Sequence, residues 1–130
     1  MAIQRLSTRN VTVLKNSGKL SEQLVWPRNA PASSLTVTRV TMAPGAVSSR
    51  HSHAHAEQIW IVEAGEGALL LAGGQETPLA VGDIVRTPAG DIHGVANTGE
   101  EPLVYLAITT PPEDFTGRYE EAVEAPTPDA

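Results

Sequence analysis

The sequence contains no cysteine, and aromatic side chains make up only 4% of its 130 residues. Without cysteine, neither a disulfide framework nor a thiolate metal site is possible, so a bound metal would have to use nitrogen and oxygen ligands. The sequence also lacks an apolar run long enough for a transmembrane helix, and its first residues show no apolar core of a secretory signal. We therefore expect one cytoplasmic domain with no membrane partner.

Basic residues are scarce as well. Nine Lys and Arg stand against 15 Asp and Glu, which gives a formal net charge of −6. The basic residues are spread along the chain and form no stripe that could bind a phosphate backbone, so we expect no nucleic-acid partner. Acidic residues crowd the end of the chain, which predicts a solvated and partly disordered acidic segment over residues 113–130.

Glycine and proline, by contrast, are frequent, since 11 Gly and 10 Pro divide the chain into many short segments. Short segments separated by turn residues are typical of an all-β sandwich or barrel. We predict one short helix, over residues 114–122. The predicted strands cover residues 11–14, 22–26, 34–42, 48–53, 57–63, 67–71, 76–79, 83–87, 92–97 and 103–109.

The four histidines lie in two segments. His51 and His53 occupy alternate positions, so their side chains project from the same face of a predicted strand. His93 follows a turn over residues 82–90 that is shaped by glycine and proline and can aim it at the same point. An isolated strand histidine is more often a solvent-facing or hydrogen-bonded residue than a ligand, but this spacing favours a metal site.

Both segments resemble the paired sequence motifs of the cupin superfamily. The matched positions are Gly45, His51, His53 and Gly65 in the first motif, and Gly82, Pro88, Gly90, His93 and Asn97 in the second. The resemblance covers about residues 35–110 and implies a double-stranded β-helix, a jelly-roll barrel of two facing sheets. It also implies that His51, His53 and His93 bind one divalent transition metal, and such a ligand set suits Fe, Mn, Ni, Co, Cu or Zn.

A fourth ligand is expected at Glu57 or Gln58. Counting forward from the histidines of the first motif gives Glu57, and counting back from its final glycine gives Gln58. If Gln58 points inward, so does Trp60, whereas an inward Glu57 would bring Glu63 into the barrel as a second carboxylate. Alternation thus favours Gln58, although a bulge at the start of the strand would allow Glu57. A neutral ligand set would leave the charge of the metal uncompensated and favour anionic substrate oxygens.

Five further residues are candidates for the substrate pocket. His55 is interpreted as a rim residue that orders water or contacts substrate, in preference to a fourth imidazole ligand. Trp60 and Tyr105 are each either cavity wall or ordinary core. Arg39 and Arg50 could bind a substrate carboxylate near the metal, although surface arginines are the commoner case.

The segments on either side of the barrel are expected to pack on it. Phe115 and Tyr119 could fold the end of the chain over the barrel mouth. Ile59 and Ile61 should face outward and need a cover, which strand 11–14 or a second subunit could supply. Small cupins often dimerise through such a sheet, so we expect a homodimer. We divide the chain into an N-terminal segment over residues 1–30 with strands that pack on the barrel or a partner, a cupin barrel over residues 31–112 and the acidic segment.

The resemblance implies a metal-dependent enzyme whose metal chelates a polar, oxygen-bearing small molecule, with isomerase/tautomerase or dioxygenase chemistry. Gln58 favours the isomerase branch by analogy with small cupins that process uronate-derived sugars. The alternative is a non-catalytic cupin that binds or senses a metal or ligand. The motifs identify no catalytic residue beyond the metal ligands.

Overall fold

The computed structural model describes residues 3–125, which form eleven strands and three short 3₁₀ turns. The 3₁₀ turns cover Thr8–Asn10, Ala72–Gly74 and Phe115–Arg118. The strands are β1 (Val13–Asn16), β2 (Lys19–Val25), β3 (Thr36–Met42), β4 (Val47–His51), β5 (Glu57–Ala64), β6 (Gly67–Leu71), β7 (Glu76–Leu79), β8 (Ile84–Thr87), β9 (His93–Ala96), β10 (Leu103–Thr110) and β11 (Glu121–Val123). Within residues 3–125, no helix is long and apolar enough to cross a membrane.

The strands form two antiparallel sheets. One has seven strands in the order β11-β1-β2-β3-β10-β5-β8, and the other has four in the order β4-β9-β6-β7. Burial alternates along β3, β5 and β10, because one face of the larger sheet packs against the smaller sheet while the other face does not. The core contains side chains from both sheets: Val40, Met42, Trp60, Val62, Leu69, Leu79, Val95, Leu103, Tyr105 and Ala107. The predicted all-β jelly roll is therefore confirmed.

The helix predicted over residues 114–122 is wrong. Residues Phe115–Arg118 form a single 3₁₀ turn, capped by the Asp114 side chain, which accepts a hydrogen bond from the Thr116 backbone N–H. The chain then extends as β11, which pairs with β1 in the larger sheet. Pairing with an open strand edge has overridden the local pattern, as long-range contacts often do. Residues 126–130, the last part of the acidic segment expected to be partly disordered, lie outside the described residues.

Of the two covers considered for Ile59 and Ile61, the N-terminal strand does not lie over them. β1 is separated from β5 by β2, β3 and β10, so it extends the larger sheet sideways and does not lie over its outer face. Strands from both flanking segments belong to the same sheet as the barrel strands. The outer face around Ile59 and Ile61 is left half-buried by the described residues.

Candidate metal centre

Three histidines converge at one end of the barrel. His51 ends β4, His53 lies in the loop that follows, and His93 begins β9. His51 and His93 are register partners in neighbouring antiparallel strands, so the sheet itself places their rings together, with centroids 4.5 Å apart. The His53 centroid lies 5.1 Å from that of His51 and 5.3 Å from that of His93. The candidate ligand nitrogens of all three lie within 4.8 Å of one another.

Backbone carbonyls orient two of the three rings. His51 Nδ1 lies 2.8 Å from the carbonyl oxygen of Ser49, and His93 Nδ1 lies 3.1 Å from that of Asp91. Since a carbonyl oxygen can only accept, each Nδ1 carries the proton and donates it, which leaves the lone pair on Nε2. This is the tautomer in which a metal-binding imidazole presents Nε2 to the ion.

The remaining buried nitrogens of the trio lack hydrogen-bond partners in the described part of the chain, and the Glu113 carboxylate approaches His53 Nδ1 only to 3.8 Å. Among residues 3–125, the buried atoms His93 Nε2, His53 Nδ1 and His53 Nε2 make no hydrogen bond. A buried polar atom without a partner is costly and calls for an explanation, such as an ion. These orphaned nitrogens therefore fit a metal, and the three imidazoles could hold a divalent transition ion.

Two of the three imidazoles, those of His53 and His93, have lowered pKa values. Burial lowers the pKa of His53 to about 4, and the positive charge of Arg118 and the neighbouring imidazoles contribute in the same direction. Burial also lowers the pKa of His93, partly opposed by its hydrogen bond to the Asp91 carbonyl. Both rings are thus unprotonated near pH 7, with lone pairs available for a metal.

Strand alternation separates the two candidates for the fourth ligand. The Gln58 side chain is buried inside the barrel, where its Nε2 donates to Thr109 Oγ1 (2.9 Å) and its Oε1 accepts from Trp60 Nε1 (2.8 Å). The Glu57 carboxylate faces outward and accepts from Arg86 Nε at 3.0 Å. Gln58 is the one that lines the cavity beside the histidines. Its coordination of a metal stays a prediction, since one lone pair of Oε1 already accepts from the indole.

A cavity of about 320 Å³ leads to the histidines, at the small end of the range for small-molecule sites. Trp60 and Tyr105 form part of its wall, with ring centroids 4.8 Å apart. Burial raises the pKa of Tyr105, so its phenol remains protonated and cannot serve as a base near neutral pH. Polar side chains complete much of the wall, including Asn16, Ser17, Ser21, Thr38, Ser48 and Ser49.

The C-terminal segment folds over the mouth of this cavity. Phe115 is buried and packs edge-on against His53, with ring centroids 6.4 Å apart. Tyr119 lines the cavity, as expected for a segment that closes the barrel. Asn16 holds the segment in place, because its Nδ2 donates to the Arg118 carbonyl (3.2 Å) and its Oδ1 accepts from the Glu120 backbone N–H (2.9 Å).

Three of the predicted pocket residues lie elsewhere. His55 is exposed in the bend between β4 and β5, where the chain has left the strand and no longer follows its alternation. Arg39 occupies an outward position of β3 and pairs with Glu63 at 3.2 Å. Arg50 is exposed and donates from Nε to the Leu71 carbonyl at 2.7 Å. Neither arginine is among the residues that line the cavity, so the structure favours the surface role over the carboxylate-binding role for both.

Two cationic residues of the cavity wall were missed by sequence reasoning. Lys19 comes from β2, and Arg118 ends the 3₁₀ turn after β10. No motif or local periodicity marks either residue, and they are brought to one cavity only by the closure of the barrel and the return of the C-terminal segment.

The chain is thus a double-stranded β-helix in which three convergent histidines beside the cavity could hold a metal. The Cupin domain model matches residues 38–109, and the chain therefore belongs to the cupin family.

The curated relatives of the chain include one protein named for catalysis and one named for binding. The chain is 31% identical over 100 residues to a gentisate 1,2-dioxygenase from Ralstonia, a match that covers 77% of this chain and 26% of that protein. It is 31% identical over 70 residues to an oxalate-binding protein from Thermotoga maritima, covering 54% of this chain and 57% of that protein. The chain thus spans between a quarter and three fifths of these curated relatives.

Among solved structures, a sugar phosphate isomerase of the cupin superfamily from Silicibacter pomeroyi is 26% identical with a TM-score of 0.71. The match covers 82% of this chain and 75% of that one. The same barrel therefore carries proteins named for oxygenation, binding and isomerisation.

Proposed function

We propose that this protein is a metal-dependent enzyme acting on a small, oxygen-bearing molecule. The observation that carries the proposal is the set of buried, unpaired imidazole nitrogens of His53 and His93 beside a cavity of about 320 Å³. A site that only stabilises a fold is normally closed by protein ligands, whereas three protein ligands next to a cavity leave room for an exogenous one.

His51, His53 and His93 would hold the metal, with Gln58 as the proposed fourth ligand. A bound divalent ion would supply Lewis-acid polarisation of substrate oxygens or, if redox-active, chemistry with dioxygen. Trp60 and Tyr105 give the cavity an apolar wall that excludes water from one side of the substrate. Relatives named a dioxygenase and an isomerase support both branches of this chemistry.

One observation favours a second candidate, a non-catalytic binding protein. No Asp or Glu is among the described residues that line the cavity, and the Glu113 carboxylate, 3.8 Å from His53 Nδ1, is also 3.8 Å from Arg118 Nη2, which holds it in an ion pair and makes it less available as a general base. A relative named an oxalate-binding protein is consistent with a site that holds a ligand without converting it.

The test begins with elemental analysis of protein purified without a metal-affinity column. Metal-free protein is then reconstituted separately with Fe, Mn, Ni, Co, Cu and Zn and screened against β-diketones, catechols and 4,5-unsaturated uronates. Substrate loss and dioxygen uptake are recorded together. We expect about one equivalent of metal per chain and metal-dependent turnover, with uptake indicating a dioxygenase and its absence an isomerase or tautomerase.

Two histidine variants test whether the metal binds at the three convergent histidines. His93→Ala should abolish both metal binding and turnover, while His55→Ala should preserve both because His55 is exposed outside the cavity. Saturable ligand binding without turnover in any metal form would instead favour the binding protein. Equal metal content in the two variants would refute the metal centre.

A further inference from the structure

The charged side chains among the described residues that line the cavity, other than the histidines, are both cationic. Lys19 and Arg118 line it, and no carboxylate is among the described lining residues, although the chain as a whole has a net charge of −6. We propose that Lys19, assisted by Arg118, binds the anionic acid group of a small organic acid, a carboxylate or phosphate, while other oxygens of that molecule face His51, His53 and His93. This assignment rests on the proposed small-molecule function and names the substrate class.

Lys19 is the stronger part of this subsite. Its Nζ donates to Ser48 Oγ at 2.7 Å and lies 5.3 Å from the centroid of the Tyr119 ring. In the described part of the chain, no carboxylate oxygen lies within 4.0 Å of this half-buried ammonium group. An ammonium group has three donors, and removing it from water without a counter-ion is costly. An anionic group in the cavity would satisfy both the charge and the remaining donors.

Arg118 adds a second positive charge from the C-terminal segment. Its guanidinium carbon lies 5.8 Å from the centroid of the Phe115 ring, which itself packs against His53. Glu113 lies between Arg118 and the histidine end of the cavity, because its Oε1 is 3.8 Å from His53 Nδ1. Nη2 of Arg118 also lies 3.8 Å from Glu113 Oε2, so part of its charge is compensated from outside the cavity. We therefore expect the larger contribution from Lys19.

The same charges discriminate between substrate classes. An acidic protein repels anions on average, so a locally positive cavity concentrates them where the wall is cationic. A neutral sugar or hydrocarbon would leave the Lys19 ammonium group without a counter-ion, whereas an acid group forms charge-assisted hydrogen bonds with it. The substrate should therefore be an acid with one anionic group at the mouth and further oxygens at the histidine end.

The test is calorimetric titration of the full chain with malonate and with malonamide, its uncharged analogue. Metal-free protein reports on the cationic wall alone, and metal-loaded protein shows whether the two ends act together. We expect malonate to bind at least about ten-fold more tightly than malonamide, and Lys19→Gln to weaken malonate binding by about ten-fold or more. Arg118→Gln should have a smaller effect in the same direction. Inorganic phosphate, titrated in parallel, tells which acid group the wall prefers.

Lys15→Gln is the matched control, because it removes the same charge from the adjoining strand β1 without altering the cavity wall. Its malonate affinity should stay within about two-fold of the parent protein. Equal affinity for malonate and malonamide, or equal loss in Lys15→Gln and Lys19→Gln, would overturn the inference.

Binding and turnover measurements together distinguish a missing acid subsite from a missing enzymatic activity. Lys19-dependent anion binding without turnover in any metal form would support the acid subsite and count against an enzyme. Turnover in which Lys19→Gln leaves KM unchanged for every acid substrate would support an enzyme and overturn the acid subsite.

Discussion

At the residue scale, the neighbours Glu57 and Gln58 lie on opposite faces of β5, because successive side chains of a strand alternate. Gln58 lies in the cavity with the histidines, and Glu57 pairs with Arg86 on the outer face. We predict that Gln58→Ala weakens metal binding by about ten-fold, while Glu57→Ala changes it less than about two-fold. Competition with a chromogenic chelator measures both affinities.

Gln58 also accepts a hydrogen bond from Trp60, so its loss could act through the indole. Trp60→Phe separates the two effects, because it removes the indole donor and leaves the amide in place. A metal affinity in Trp60→Phe close to that of the parent protein would assign the Gln58→Ala effect to the amide itself. A larger loss in Glu57→Ala than in Gln58→Ala would contradict the assignment.

The buried histidines should make the metal-free protein sensitive to acid. His53 titrates at about 4 in the folded protein and near its ordinary value of 6.5 in the unfolded chain. Between these values only the unfolded chain binds the proton, so the free energy of unfolding falls as the pH drops from 6.5 to 4. The loss should be on the order of 3 kcal/mol, since one pKa unit corresponds to about 1.4 kcal/mol.

Urea denaturation at several pH values between 7.5 and 4 measures this dependence. His53→Gln should flatten the curve, because the amide is similar in polarity and does not titrate, whereas His55→Gln should leave it unchanged. Identical pH profiles for the parent protein and His53→Gln would show that His53 is not the group responsible.

The candidate site could be predicted from the sequence where its residues belong to a short motif with fixed spacing between turn residues. The motif spacing brought His51, His53 and His93 together correctly, although strand alternation describes only His51 and His93, because β4 ends at His51 and His53 lies in the loop that follows. The sequence left Arg39 between a pocket role and a surface role, because the alternation of β3 alone does not state which of its faces is inward. Lys19 and Arg118 could not be found at all, because only the closed barrel brings β2 and the C-terminal segment together.

At the element scale, the contact between β4 and β9 sets the distance between His51 and His93. A Cβ atom at Gly94 would lie 2.7 Å from the Ser48 carbonyl oxygen and 3.0 Å from the Arg50 backbone nitrogen. The pairing of β4 with β9 is irregular between Ser48 and His51, next to this close approach. The absence of a side chain at Gly94 thus allows the two histidine strands to meet.

We predict that Gly94→Ala destabilises the protein by about 1–3 kcal/mol and weakens metal binding, because it pushes β4 away from β9. Thermal denaturation and chelator competition measure the two effects. Gly117→Ala is the control, since its Cβ would meet no atom within 4 Å and its φ is not positive. An unchanged metal affinity in Gly94→Ala would mean that the strand contact does not position the ligands.

The strands with a local sequence pattern were predicted, and the strand that depends on a long-range contact was not. Each predicted strand corresponds to one of β1 to β10, because alternating apolar residues and turn glycines mark them locally. β11 was missed because all three of its residues are exposed, so they carry no alternation. It exists because β1 offers an unpaired edge, a property of the assembled sheet that the local sequence does not contain.

At the scale of the whole molecule, residues 3–125 leave the outer face of the larger sheet around β5 without a covering segment. Ile59 and Ile108 are paired across β5 and β10, as are Ile61 and Leu106, and Ile84 beside them is 71% exposed. These apolar side chains form a continuous patch across the face. Such a patch on a single domain marks an interaction surface.

The edge of this patch carries charges of both signs. Arg39 pairs with Glu63 and Glu57 with Arg86 on the outward side of the sheet. A surface with an apolar centre and a rim of mixed charge can be self-complementary, as a two-fold interface requires. This supports the expected homodimer, with a second copy of the chain as the cover of Ile59 and Ile61.

We predict that light scattering at micromolar concentration gives a mass about twice that of the 13.7 kDa chain. Ile61→Glu should shift the protein to monomer, because a carboxylate buried in an apolar interface without a partner costs several kcal/mol. Val81→Glu introduces the same charge at a turn residue that is 62% exposed and should leave the mass unchanged. A parent protein that scatters as a 13.7 kDa species would show that the outer sheet face has no second copy as its partner.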